Sequence, residues 1–250
     1  MTPGLVLVEI AEGIGTITLN RAHKLNAVDR HFCRELIEAL RALAHNDAVR
    51  VVILTGAGRA FCAGADLTIL EQDGPALVAA GRDIAQLIRS APKPVIAAIN
   101  GAAAGGGANL ALACDYRIAS DAASIGQVFH KLGLGVDWGG SYFLPRLVGP
   151  SVALELIWSA RMVAAAEAHA LGLFDRVVPA DRLTVEARAL AATWAGFPPR
   201  AVRHAKEAIY RSERATLAEM LELEATVQNE LFATPEARER LGQSLIARSR

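Results

Sequence analysis

Two segments constrain what this chain can fold into more than anything else in it. They are Phe61-Cys62-Ala63-Gly64-Ala65-Asp66 and Asn100-Gly101-Ala102-Ala103-Ala104-Gly105-Gly106-Gly107-Ala108-Asn109. Each follows an apolar run that reads as a buried strand, the first after residues 49–54 with six residues between and the second directly after 95–99, and each then opens a helix. A strand-to-helix turn made of Gly and Ala carries no bulky side chains. A ligand oxygen can therefore approach the backbone N–H groups at the helix N-terminus. Two such turns together would form a two-donor cradle for a developing oxyanion.

The hydrophobic pattern around these segments alternates strands with helices. Residues 5–10 and 15–19 read as a hairpin around Ala11-Glu12-Gly13. Asp29 is placed to cap a helix whose apolar stripe is Phe32, Leu36, Leu40 and Leu43. The run 49–54 ends at Thr55-Gly56, residues 66–90 read as mostly helical, and 95–99 and 116–119 as strands. Further on, 151–159 and 164–171 read as helices and 175–178 as a short strand. After Asp181 nearly everything reads as helix, interrupted at Phe197-Pro198-Pro199. This order predicts an α/β fold with largely parallel pairing. It divides into a core over residues 1–195 and a C-terminal helical region over 196–250.

Composition excludes several classes. At 52% hydrophobic residues and a mean hydropathy of +0.28, the chain supports a large core and is not a disordered polymer. Lys and Arg number 26 and so do Asp and Glu. No basic excess points to nucleic acid, and no polybasic patch to anionic lipid. High apolarity at zero net charge favours self-association as a soluble oligomer. Cys33, Cys62 and Cys114 are an odd count with no CxxC, which argues against a disulfide framework or a zinc site and fits a reducing compartment. Met1-Thr2-Pro3-Gly4 shows no signal-peptide character, so a cytoplasmic location is expected. Residues 94–114 lack any charge and are long enough to mimic a membrane span. Their Asn100, Asn109 and Gly cluster make a buried strand, a turn and a buried helix the better reading.

Other chemistries fit poorly. Gly56-Ala57-Gly58-Arg59-Ala60-Phe61 follows a strand but has Phe where a dinucleotide turn needs its third Gly, and no phosphate-loop pattern occurs. Ser124 and Ser141 lie near His130 in sequence, but neither sits in a nucleophile elbow. They read as structural serines, and His130 reads as a surface or pocket-lining residue. Asp137 is the one acidic side chain between Asp121 and Glu155, flanked by Val136 and Trp138 and followed by Gly139-Gly140. A carboxylate among apolar groups is pushed towards a neutral pKa and suits proton shuttling. An Asp before a helix equally suits an N-cap. The residues alone leave both readings open.

The two Gly/Ala segments resemble the paired oxyanion-hole motifs of the crotonase (enoyl-CoA hydratase/isomerase) superfamily. The resemblance runs from about Val6 to about Pro179, with a weaker helical tail. It implies a crotonase-like spiral of ββα units with a C-terminal helical trimerisation region, hence a homotrimer or a dimer of trimers. It also implies an acyl-CoA thioester substrate, with no cofactor beyond that coenzyme A and no metal. The thioester oxygen would sit between the N–H groups of Ala65 and Gly106. The two glutamates of typical hydratases match Asn109 and Phe129 here, so both acids are missing.

The stretch around Asp137 and Phe143-Leu144-Pro145-Arg146-Leu147-Val148-Gly149 instead resembles the isomerase branch, which includes ring-epoxyphenylacetyl-CoA isomerases. There a single Asp at the position of Asp137 carries the proton, and Val136 stands where Pro is usual. The resemblance thus favours catalysis for Asp137. The matching substrate and coenzyme A positions are Lys24, Leu25, Ala27, Ala63, Asp66, Leu67, Asn109, Phe129 and Arg248, with Asn109 a neutral pocket-lining residue. Residues 68–81 should shape the acyl pocket without a readable specificity. The expected function is isomerisation of an unsaturated acyl-CoA. The alternatives are a hydratase using Asp137 alone and a non-catalytic acyl-CoA-binding protein.

Overall fold

In the computed structural model, residues 4–248 are described, with side chains as far as Leu245. The N-terminal hairpin forms as expected: β1 (Val6–Ala11) pairs antiparallel with β2 (Ile14–Leu19). Glu12 and Gly13 both take positive φ, at 54° and 78°, as a two-residue hairpin turn matched to strand twist requires. Asp29 Oδ1 accepts the Phe32 N–H at 2.8 Å and starts α1 (Arg30–His45). The predicted stripe of Phe32, Leu36, Leu40 and Leu43 is its buried face.

β3 (Val51–Gly56), β5 (Val95–Ile99), β7 (Tyr116–Ser120) and β10 (Arg176–Val178) complete a six-stranded sheet in the order β1-β2-β3-β5-β7-β10. All its pairs after the hairpin are parallel. The apolar runs of β3 and β5 do not alternate because both faces are covered. Val51, Ile53, Ile96 and Ala98 pack under α7 (Leu183–Ala195), while Val52, Leu54, Val95 and Ala97 face the main core.

A second sheet escaped the sequence pattern. β4 (Ala60–Cys62), β6 (Ala102–Ala104), β8 (Ser124–Gly126) and β9 (Met162–Ala164) have three residues each and run in that order. Three strands of the main sheet, β3, β5 and β7, each lead within a few residues into one of these, and a helix then follows. Thus β3 and β4 lead to α2 (Leu70–Ser90), β5 and β6 to α3 (Gly106–Ala113). After a 3-10 turn at Val128–Leu132, β7 and β8 lead to α4 (Gly140–Val148). These are the turns of a ββα spiral. Gly101 permits one of the tight corners: a Cβ there would lie 2.1 Å from the Arg59 carbonyl oxygen. The charge-free stretch 94–114 is accounted for by β5, β6 and α3. Among the described residues, no helix is long and apolar enough to cross a membrane.

α5 (Pro150–Ser159) and α6 (Ala165–Ala170) flank β9. The break at 197–199 separates α7 from α8 (Pro199–Ser212), and α9 (Leu217–Phe232) and α10 (Pro235–Arg248) follow. One buried polar cluster ties α8 to the core. Lys206 Nζ donates to the carbonyls of Ile88 and Lys93 and meets Asp115 Oδ2 at 2.8 Å, and the Tyr210 hydroxyl bonds the same carboxylate. Burial lowers the Lys206 pKa, with Asp115 opposing the shift.

Candidate active site

The two Gly/Ala turns meet at one place. Gly64, at φ 88°, passes so close to the second turn that a Cβ on it would lie 2.8 Å from the Ala104 oxygen and 3.4 Å from the Gly106 nitrogen. Ala65 bridges to Val28, and its neighbours supply both bonds: Val28 N–H donates to Gly64 O and Asp66 N–H to Val28 O. This leaves the Ala65 N–H without an acceptor among the described residues. Gly106 is the first residue of α3, so its N–H has no partner within that helix. Ala65, Gly105 and Gly106 all line one cavity of about 780 Å³.

The rest of the wall is mostly apolar. α2 contributes one face, with Leu70, Glu71, Gly74, Pro75, Leu77 and Val78, and the 3-10 turn contributes Val128, Phe129 and Leu132. The expected shaping role of residues 68–81 thus falls on this face of α2. Asp137 and Glu71 are the titratable residues among those lining the cavity, and Glu71 is solvent-exposed. Asp137 Oδ1 is buried with no hydrogen-bond partner among the described residues. Burial pushes the Asp137 carboxyl up from the ordinary carboxylate value to about 6. The N-cap alternative is not what forms. The cap residue of α4 is Gly139, at φ 82°, and Asp137 serves that turn only through its main-chain oxygen, which accepts the Gly140 N–H at 2.9 Å.

Phe129 lines the cavity, as its position suggested, but Asn109 does not. Asn109 is fully buried in α3, behind the wall. Its Nδ2 donates to the Asp137 main-chain oxygen at 2.8 Å, and its Oδ1 accepts from Gln127 Nε2 at 2.7 Å. Ala63 and Leu67 line the cavity, Leu67 being exposed at its edge. Lys24, Leu25, Ala27 and Asp66 cluster on the loop beside it. Lys24 Nζ and Arg21 Nη1 each lie 3.0 Å from Asp66 Oδ2, and Ala63 N–H donates to Leu25 O. The Thr68 hydroxyl, with Lys24 behind it, holds the Asp66 carboxyl well below the usual range. The Arg248 side chain lies outside the described residues. His130 is exposed and is not part of the cavity wall.

Three contributors were not read from the sequence. Asn26 is fully buried at φ 56°, and its Nδ2 donates to the carbonyls of Ala57, Ala60 and Phe61. It fixes the loop carrying Lys24 and Leu25 against the first turn; the signal available was Asn, the residue that tolerates left-handed backbone. Trp138, at φ 48°, lays its indole over Gly81, where a Cβ would be 2.0 Å from the ring, and donates Nε1–H to Leu77 O at 3.1 Å. Gln127 had no local signal at all.

A ββα spiral that brings two Gly/Ala turns with free N–H groups to an apolar cavity defines the crotonase class of enzymes. Comparison with known proteins agrees. The sequence pattern of the enoyl-CoA hydratase/isomerase family matches residues 9–246. A probable enoyl-CoA hydratase of Rhizobium meliloti is 42% identical over 94% of this chain and 92% of its own length. The 1,2-epoxyphenylacetyl-CoA isomerase of Escherichia coli is 37% identical over 98% and 96%. The crystal structure of an enoyl-CoA hydratase from Bacillus anthracis superimposes with a TM-score of 0.93 at 38% identity, covering 98% of this chain and 96% of that one. The chain belongs to the enoyl-CoA hydratase/isomerase family of the crotonase superfamily, whose enzymes act on acyl-CoA thioesters.

Proposed function

We propose that the protein is an enoyl-CoA isomerase that moves a double bond through one proton carrier, Asp137. The observation carrying this reading is the Asp137 carboxyl itself: it lines the cavity with one oxygen buried and unpartnered, and burial raises its pKa to about 6. A group poised near neutrality can both accept and return a proton. The thioester oxygen would lie between the Ala65 and Gly106 N–H groups, which hold the negative charge of the enolate. Asp137 takes the proton from C4, the electron pair moves through the conjugated system onto the thioester oxygen, and Asp137 returns the same proton at C2. The reverse direction is equally balanced. No second acid is called for: Phe129 cannot titrate, Asn109 is a neutral amide behind the wall, and Glu71, the other carboxylate on the wall, is solvent-exposed.

The coenzyme A arm would run past Ala63 and Leu67 towards Asp66 and the loop of Lys24, Leu25 and Ala27. That coenzyme A is the only cofactor the chemistry calls for. A second reading is favoured by the hydratase name of the Rhizobium meliloti relative: addition of water with Asp137 as sole acid/base. A panel of acyl-CoA thioesters in deuterated water separates the cases. Isomerisation gives α-carbon exchange with a shifted double bond, hydration gives 3-hydroxyacyl-CoA, and a non-catalytic binder gives neither.

The assembly proposed is a homotrimer or a dimer of trimers in the cytoplasm. Supporting it are exposed apolar side chains such as Leu154, Trp158, Leu217 and Leu221, together with zero net charge. Light scattering at micromolar concentration should give three or six chains per particle. A stable monomer would count decisively against it.

A further inference from the structure

We infer that Asn109 is a positioning residue: from behind the cavity wall its amide fixes the Asp137 main chain and so aims the Asp137 carboxyl into the cavity. This rests on the reading of Asp137 as the proton carrier. The Asp137 main-chain oxygen accepts two hydrogen bonds, from Asn109 Nδ2 at 2.8 Å and from the Gly140 N–H at 2.9 Å. The orientation of the Asn109 amide is dictated by its neighbours. A carbonyl oxygen only accepts, so the amide must present Nδ2 to Asp137 and Oδ1 to Gln127, whose Nε2 donates at 2.7 Å. An ionised carboxylate has no donor to offer and would face the Asp137 oxygen acceptor to acceptor. A longer side chain has no room either, since a Cβ on Gly140 would already lie 2.4 Å from Asn109 Nδ2. The amide at 109 and the carboxyl at 137 therefore work as a pair, and an acid at 109 is incompatible with this loop.

The restraint acts where the loop most needs one. Trp138, the next residue, sits in the left-handed region at φ 48°, which a bulky residue keeps only when its surroundings hold it. The Asn109 bond grips the Asp137–Trp138 peptide from one side, and the indole bond to Leu77 O grips Trp138 from the other. Asn109 also lies three residues beyond Gly106 on α3, hence on the same helix face. One short buried helix thus presents the Gly106 N–H at its start and holds the carboxyl-bearing loop one turn later. It thereby sets the spacing between an oxyanion donor and a proton carrier.

Of the charged residues on α2, Glu71, Asp73, Arg82, Asp83 and Arg89, Glu71 is the one on the cavity wall; the 3-10 turn carries exposed His130 and Lys131, α4 carries Arg146, and α3 carries none. Loss of the Asn109 bond should therefore show itself as hydration of the Asp137 carboxyl, not as a new charge partner.

The test is a titration of Asp137 by carbon NMR on protein labelled at its aspartate carboxyls, the resonance being identified by its loss in Asp137→Asn. The wild-type midpoint should lie at about 6. In Asn109→Leu, which keeps the shape and removes the donor, the midpoint should fall by about one unit or more towards the ordinary value. Exchange at the thioester α-carbon should fall roughly tenfold or more while KM stays close to wild type. Should Asn109→Leu fail to fold, Gln127→Met decides: it frees the Asn109 amide to rotate and should move the midpoint in the same direction. A wild-type midpoint at the ordinary carboxylate value, or one that does not move in a folded variant, overturns the inference. The titration needs no substrate. An unmoved midpoint with active exchange in the wild type sinks this positioning role alone. A moved midpoint with no exchange from any thioester supports the positioning and sinks the proposed chemistry.

Discussion

Gly106→Val should lower turnover by about 10²–10³, the loss expected for one oxyanion donor, while the variant still folds and melts no more than about 10 °C below wild type. Gly106 has ordinary helical backbone, so it does not need to be glycine for its φ. A Cβ there would meet the Trp138 ring at 3.4–3.5 Å, a tight but admissible contact. The two further methyls of Val would extend into the cavity that Gly106 lines, where the thioester oxygen is proposed to lie between the Ala65 and Gly106 N–H groups. Such overpacking typically costs about 1–3 kcal/mol. The neighbouring position supplies the control. A Cβ on Gly107 would lie 2.1 Å from the Cys62 carbonyl oxygen, backbone against backbone, with no side chain to yield. Gly107→Ala should therefore lose the fold itself. Kinetics and thermal melts on the two variants separate a chemical glycine from an architectural one. A folded Gly106→Val with wild-type turnover would remove Gly106 from the site.

That contrast also shows where the sequence was legible. The strands β3 and β5 could be read because they are buried on both faces and so carry continuous apolar runs. α1 could be read because its cap and stripe agree. The second sheet could not: its strands, Ala-Phe-Cys, Ala-Ala-Ala, Ser-Ile-Gly and Met-Val-Ala, are three residues each, too short to show an alternation. The two turns and Asp137 stood out as composition anomalies, Gly/Ala clusters after strands and a lone acid among apolar neighbours. Position in the chain alone puts Asn109 on the cavity wall. Whether a side chain reaches a cavity or a carbonyl behind it depends on tertiary contacts, here with Gln127 and Asp137, which are 18 and 28 residues away. The left-handed Trp138 was hidden for the same reason, since its conformation is imposed by α2 and not by its own preference.

Asp137→Asn should abolish isomerisation and α-carbon exchange, a loss of at least about 10²–10⁴, and should make the protein more stable at neutral pH. The two effects share one cause. Burial raises the folded-state pKa of Asp137 to about 6, above its unfolded value, so the native state binds the proton more tightly than the unfolded chain does. Its contribution to stability is fully present below the unfolded pKa of about 4 and is lost as pH rises through about 6. Above that, the wild type carries a partly buried charge that Asn does not. The variant should then exceed wild type by about 1–2 kcal/mol, a figure reduced for the solvent that still reaches the carboxyl. The gap should close as pH falls from about 6 to about 4. Catalysis depends on the same ionisation with the opposite sense. As a base, Asp137 must be unprotonated in the free enzyme, so kcat/KM should fall below a pH of about 6. A helix-capping Asp would behave differently: Asn caps about as well, so Asp137→Asn would leave stability close to wild type, Ala at 137 would lower it by about 1 kcal/mol, and proton exchange would stay intact. Thermal melts of wild type, Asp137→Asn and Asp137→Ala at pH 8 and pH 4.5, beside the exchange assay, therefore distinguish the two roles. A proton carrier gives a stabilised Asn variant at pH 8, whereas a cap gives an unchanged Asn variant and a destabilised Ala variant. A destabilised variant that still exchanges the α-proton would return Asp137 to a structural part and place the base elsewhere on the cavity wall, where Glu71 is the other carboxylate.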